Sequence, residues 1–203
     1  MAIRLKTKFH TQGRRSAATL ASVVAVLAWK LAIESIKRMR KADYDIDAGR
    51  PYFDFVCEFL AFLAVCADRV AYREFGETDE RVEFTTTLAQ NVARFVEENN
   101  IMLLGEAVPG ESRRHFIDLF NRRAADYAEF GYGEQGPDFG FKRFFAACLR
   151  DVLPEKDQLW VVDQAMDIEA PEALKMLEKT LTGLFDPDQA HSQRRQDLRG
   201  SID

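Results

Sequence analysis

The densest run of apolar positions lies between Pro51 and Gly76, PYFDFVCEFLAFLAVCADRVAYREFG, and from Phe55 to Ala67 its one charged residue is Glu58. Thirteen helical residues at about 100° each sweep every direction around the axis. Apolar side chains therefore point all ways, and the pattern predicts a helix that is covered on most sides. Pro51 suits a first helical turn, where its missing N–H is not needed, and Gly76 followed by Glu77, Thr78 and Asp79 is a stop signal. At about 1.5 Å per residue the span makes a rod of roughly 36 Å.

The flanking chain repeats a weaker, one-sided pattern. Leu20, Val23, Val24, Leu27, Leu31 and Ile33 recur at three- and four-residue spacing, which predicts a first helix from Arg15 or Ser16 to Lys41 with Lys30 and Glu34 as an exposed pair. Phe84, Leu88, Val92, Phe95 and Val96 mark a helix from Asp79 to Leu104. The short link around Glu77 to Asp79 makes it the antiparallel neighbour of the central one. Further helices are predicted from Glu111 or Ser112 to Phe130, from Phe139 to Leu153, from Gln158 to Ile168, and, opened by Pro171, from Glu172 to Phe185. Between the fourth and fifth lies FGYGEQGPDFGF, whose glycines and Pro137 break helix; its rings read as a cover for the bundle end, or as a lid. The expected fold is all-α, a single antiparallel bundle of six or seven helices around residues 51–75. Residues 1–14 are expected to be a basic N-terminal arm, 15–185 the bundle, and 186–203 a polar, disordered tail.

Composition changes this picture in one respect. At 203 residues, 47% hydrophobic and 30% charged, the chain suits one soluble core, and its 16 Phe against five Tyr and two Trp suggest an interior filled by rings that need no hydrogen-bond partner. Net charge is −5, unevenly spread. Residues 1–41 carry ten Lys or Arg and one acid, a net +9, and the other 18 basic and 32 acidic residues give −14. A basic stretch of this kind can bind nucleic acid or an anionic membrane surface, or lie on the chain's own acidic surface or that of a second copy, which is the reading preferred here.

Arg14 and Arg15 ahead of AATLASVVAVLAW resemble a signal sequence, but the apolar run reaches thirteen residues before Lys30, short of a membrane span, and no small-x-small cleavage site ends it. It reads as a core-packing helix. Cys57 and Cys66 are nine residues apart on one helix, on opposite sides and roughly 13 Å apart, beyond disulfide reach. With Cys148 the third, a reducing cytoplasm is the expected setting.

Candidate chemistry is sparse. Glu58, enclosed by apolar neighbours, must be paired or protonated; with Asp54 one turn away it reads as the helix's one polar strip, near a solvent-facing groove or paired with Arg94, ahead of a protonated general acid. Arg69, with Asp68 and Arg73, makes a polar group near the far end of the same helix, read first as salt bridges to the loops and otherwise as a holder of an anionic head group. An apolar-ligand pocket would place Phe55, Phe59, Phe62 and Leu63 along its wall and Glu58 or Arg69 at its mouth. The doublets Arg113-Arg114 and Arg122-Arg123 read as a solvated coat. Asp45-x-Asp47 lacks the twelve-residue calcium pattern, and Glu111 with His115 supplies only two metal ligands. Gly131, Gly133 and Gly136 match a dinucleotide fingerprint by letter but follow a helix, where the motif requires a strand. The thiols sit in apolar helices, where cysteine acts as a small hydrophobe.

No catalytic, metal or cofactor site is therefore expected. The chain reads as a non-enzymatic, self-associating interaction protein, a homo-oligomer. The alternatives are a binder of an apolar small molecule such as a lipid or quinone between helices, and a peripheral membrane or nucleic-acid adaptor acting through residues 1–41.

Overall fold

The computed structural model describes residues 15–46, 49–105 and 108–185. The expected basic arm and polar tail, with His10 and His191, lie outside them. The described chain is an all-α bundle. The first helix, α1 (Ala17–Lys41), is capped by Ser16, whose Oγ accepts from the Thr19 N–H at 3.2 Å. Next comes α2 (Arg50–Phe75), with Pro51 in its first turn and Gly76 as its stop; at φ +65° Gly76 occupies the left-handed region that a side chain disfavours. Three residues later α3 (Asp79–Leu104) begins under a Thr78 cap. Such a short link turns α3 back along α2.

Residues 55–67 of α2 are all buried, Glu58 included. Their covering comes from every side, because α2 touches α1, α3, α5, α7 (Ala170–Phe185) and α4 (Glu111–Tyr127). The first helix lays Ala21, Val24, Ala25, Ala28 and Ala32 inward, and the small side chains let its axis approach α3 closely. By length and composition α1 would also suffice to cross a membrane, yet its alanine face is packed against protein.

The interior of the opposite side is a stack of rings. Phe62 lies 4.0 Å from Phe145 at an interplanar angle of 18°, Tyr127 4.3 Å from Phe141 at 22°, and Phe59 meets Phe145 edge-on at 5.2 Å. Phe141 and Phe145 belong to α5 (Phe139–Val152).

The fourth helix stops at Tyr127, three residues before the expected end, and a small hairpin follows. Strand β1 (Tyr132–Gly133) pairs antiparallel with β2 (Gly136–Pro137). Asp138 ties its base: one carboxylate oxygen accepts from the Gly131 N–H at 2.9 Å and the other caps α5 by accepting from the Phe141 N–H at 2.8 Å. Those bonds, Phe141's first, hold the Asp138 carboxyl below its ordinary pKa. Tyr132 sits edge-on to Phe141 at 5.6 Å, and Arg73 reaches the Gly133 carbonyl and lies over the Tyr132 ring. The rings cover the bundle end as the first of the two expectations had it.

The seventh helix is not separate. After a 3-10 turn (Glu155–Asp157), α6 (Gln158–Gln164) passes into a π-helical turn (Ala165–Glu169) and on into α7 without a break. Proline inside a regular helix lacks the i→i−4 donor and its ring meets the carbonyl four residues back. Here the wider turn, closed by the Ala170 N–H on the Ala165 carbonyl, immediately precedes Pro171 and takes up that conflict. The expectation of two helices came from treating Pro171 as a start signal.

Truncation of the stacked ring should be severe. Phe62→Ala is expected to cost about 3–5 kcal/mol of unfolding free energy, read from urea denaturation with an unchanged m-value. A loss under about 1 kcal/mol would mean that the stack is not packed as described.

Candidate functional site

Glu58 does not meet Arg94. Its carboxylate is held in a two-pronged bridge by Arg123 of α4, Nη2 to Oε1 at 2.6 Å and Nε to Oε2 at 2.8 Å. Arg123 also reaches Asp126 at 3.0 Å and lies over the Phe144 ring at 5.7 Å. The bonds to Glu58 raise the Arg123 pKa further above its ordinary value, so the guanidinium stays charged. Arg94, exposed on α3, instead pairs with Glu98 at 3.5 Å. The sequence carried a signal for the true partner: Arg123 continues the inward stripe Phe116, Phe120 and Tyr127 at spacings of four, three and four. Its side chain is 22% exposed, against the solvated coat expected of the doublet. Such a bridge neutralises the one charge of the dry helix, which is a structural task.

Phe55, Phe59, Phe62 and Leu63 are fully buried in the ring stack and line neither of the two cavities that flank α2. Arg69 does line one. This cavity, about 580 Å³, opens at the α2–α3 turn between Val65, Asp68, Arg69, Arg81, Thr85 and Phe120. Asp68 is committed: it takes two bonds from Arg81, at 3.0 and 2.7 Å, and one from the Thr85 hydroxyl at 2.5 Å.

The second cavity, about 280 Å³, lies at the other end of the α2–α3 hairpin, walled by Phe53, Cys57, Val96, Leu104, Glu111 and His115 among others. Beside it the last turn of α3 projects four large apolar side chains, Ile101, Met102, Leu103 and Leu104, each exposed by about half or more, with Val108 close behind in the chain. Among the described residues no group of three or more His, Cys, Asp or Glu side chains is gathered closely enough to hold a metal ion. Glu111 and His115 share a cavity wall but no third ligand joins them.

The basic residues of α1 are largely engaged. Arg38 bridges the fully buried Glu169 at 2.6 Å and Glu172 at 3.2 Å, and Arg40 donates to the Ile46 carbonyl at 2.7 Å. Glu34 takes Lys37 at 2.7 Å, not Lys30. Each of these contacts ties positive charge to the chain's own acceptors.

Cys57, Cys66 and Cys148 are free and buried. Burial pushes all three thiols up, Cys148 to about 12, so they stay protonated at neutral pH and are poor nucleophiles. No family model, curated protein or solved structure matches this chain.

Two outcomes follow from these contacts. Glu58→Ala should cost about 3 kcal/mol or more, because it leaves Arg123 partly buried without its acid. The double variant Glu58→Met with Arg123→Met should cost clearly less than the two single losses added together, and strict additivity would show that the bridge is not coupled. The thiols give a pH dependence. Because their folded pKa lies above the unfolded value of about 8.5, their contribution is intact below that pH and is lost as pH rises, for Cys148 until about 12. Urea midpoints should therefore fall between pH 8 and pH 10.5. At pH 8 a thiol reagent should label the native protein slowly and all three cysteines promptly once it is unfolded; rapid native labelling would contradict their burial.

Proposed function

We propose that this protein is a non-enzymatic interaction module that self-associates through the C-terminal end of α3. The observation that carries the reading is the run Ile101-Met102-Leu103-Leu104, four consecutive large apolar side chains left open to water, Met102 the most at 72%. Single exposed apolar residues are ordinary, whereas a contiguous group is a docking feature. Consecutive residues span every side of a helix, so this turn is a projecting plug, and no single neighbouring helix can cover it.

A second copy fits because plug and hollow adjoin. The cavity beside Leu104 has an apolar floor of Phe53, Cys57 and Val96. A two-fold axis between the α3 ends brings each plug over the partner's hollow, the self-complementary arrangement of closed dimers. The cavity's lining carries both signs, with Arg50 beside Asp54 and Glu111, so like copies can meet without net repulsion there. The three reduced thiols support a cytoplasmic setting, and the internal engagement of Arg38 and Arg40 speaks against a nucleic-acid or membrane role for that part of α1.

The experiment is sedimentation velocity of the full chain from about 1 to 200 µM, a range that spans the affinity expected of a modest interface. The wild type should show a concentration-dependent dimer. Met102→Glu with Leu103→Glu should weaken the dimer at least tenfold without lowering the thermal midpoint, since both side chains are exposed in the monomer. A monomer throughout the range, or a dimer indifferent to the double variant, overturns the reading.

A further inference from the structure

The cavity at the α2–α3 turn contains a charge that the chain does not answer. Two guanidinium groups line it, and they differ. Arg81 is fully used, bonded twice to Asp68 and lying over the Tyr72 ring at 4.9 Å. Arg69 has no ion pair among the described residues, though it lines the cavity; its Nε, like that of the paired Arg38, is buried without a hydrogen-bond partner. Asp68, its sequence neighbour, is already saturated by Arg81 and Thr85. A buried donor without an acceptor costs free energy, and a guanidinium presents its donors in a planar fork that matches a carboxylate.

The remaining wall defines the rest of the ligand. Val65, Val82, Phe120 and Ala124 supply an apolar surface, and a volume of about 580 Å³ lies within the range of small-molecule sites. Glu77 and Asp79 stand exposed at the mouth, on the turn itself. Their charges disfavour a dianion such as phosphate and tolerate a single negative charge drawn in to Arg69. We propose that this cavity binds a small amphipathic monocarboxylate, its carboxylate on the Arg69 guanidinium and its apolar body against Val65, Phe120 and Ala124. The site lies at the N-terminal end of α3, some 30 Å by helix length from the projecting turn at Ile101–Leu104. Its occupancy is independent of self-association.

The test is an NMR titration of the full chain with octanoate, using octanol as the same body without charge and inorganic phosphate as charge without body. Octanoate should give saturable shifts at Val65, Val82 and Ala124 with a dissociation constant below about 1 mM, while octanol and phosphate each bind at least tenfold more weakly. Arg69→Gln should weaken octanoate at least tenfold with the thermal midpoint held. Ala124→Leu, which fills the cavity and keeps the charge, should do the same and decides the matter if the first variant does not fold. Absence of saturable octanoate shifts up to about 10 mM overturns the proposal. Equal binding of octanol or of phosphate, or affinity unchanged in the folded variants, overturns it as well.

Discussion

The structure depends on keeping α2 dry. Thirteen consecutive residues, 55–67, are withdrawn from water, and a helix buried on all sides can be satisfied only by neighbours on all sides. That demand explains the order of the other elements. The three-residue link sends α3 straight back along α2, the alanine face of α1 closes against α3, and the ring-rich α5 fills the side where Phe59 and Phe62 point. Aromatic rings suit this role because they fill space without asking for hydrogen bonds. Glu58 is the exception inside the dry segment, and Arg123 exists at that depth because Glu58 does.

Much of this was legible in the residues. The all-round apolar run set α2, and Gly76 and Thr78 set the end of one helix and the start of the next, because stop and cap signals act through local backbone geometry. What was not legible depended on contacts distant in sequence. Pro171 carries the same local signal whether it opens a helix or follows a π-helical turn; the choice was made by packing of α6 and α7 as one rod against α5 and α2. Local spacing sets Arg94 opposite Glu58 across the α2–α3 hairpin, whereas that side of α2 faces α4. The hairpin at 131–138 has strands of only two residues, too short for an alternating pattern to register, and it is held by Asp138, Arg73 and Tyr132 acting through side chains.

The residues of the expected ligand wall are buried for a related reason. Phe55, Phe59, Phe62 and Leu63 share one helix with Arg69, which is all that sequence shows of their neighbourhood. Large rings, however, fill their own space: where Phe62 and Phe145 stack at 4.0 Å no room is left for a guest. Room appears where α2 emerges from its covering, among smaller side chains such as Val65, Thr85 and Ala124. Among the described residues, both cavities lie toward the ends of the α2–α3 hairpin.

Three of the acids that enter the interior are answered in one way, whereas buried Asp157 takes the Asp45 N–H instead. Arg123 answers Glu58, Arg38 answers the wholly buried Glu169, and Arg81 answers Asp68; in each case the acid comes from a different helix, so each pair also fixes how two helices sit. Net stabilisation from such pairs is small, because desolvation offsets most of the attraction, but a misaligned register would strand both charges, and that penalty is large. Selection for register thus accounts for three arginines. It does not account for Arg69, which joins no ion pair among the described residues and lines the cavity at the α2–α3 turn.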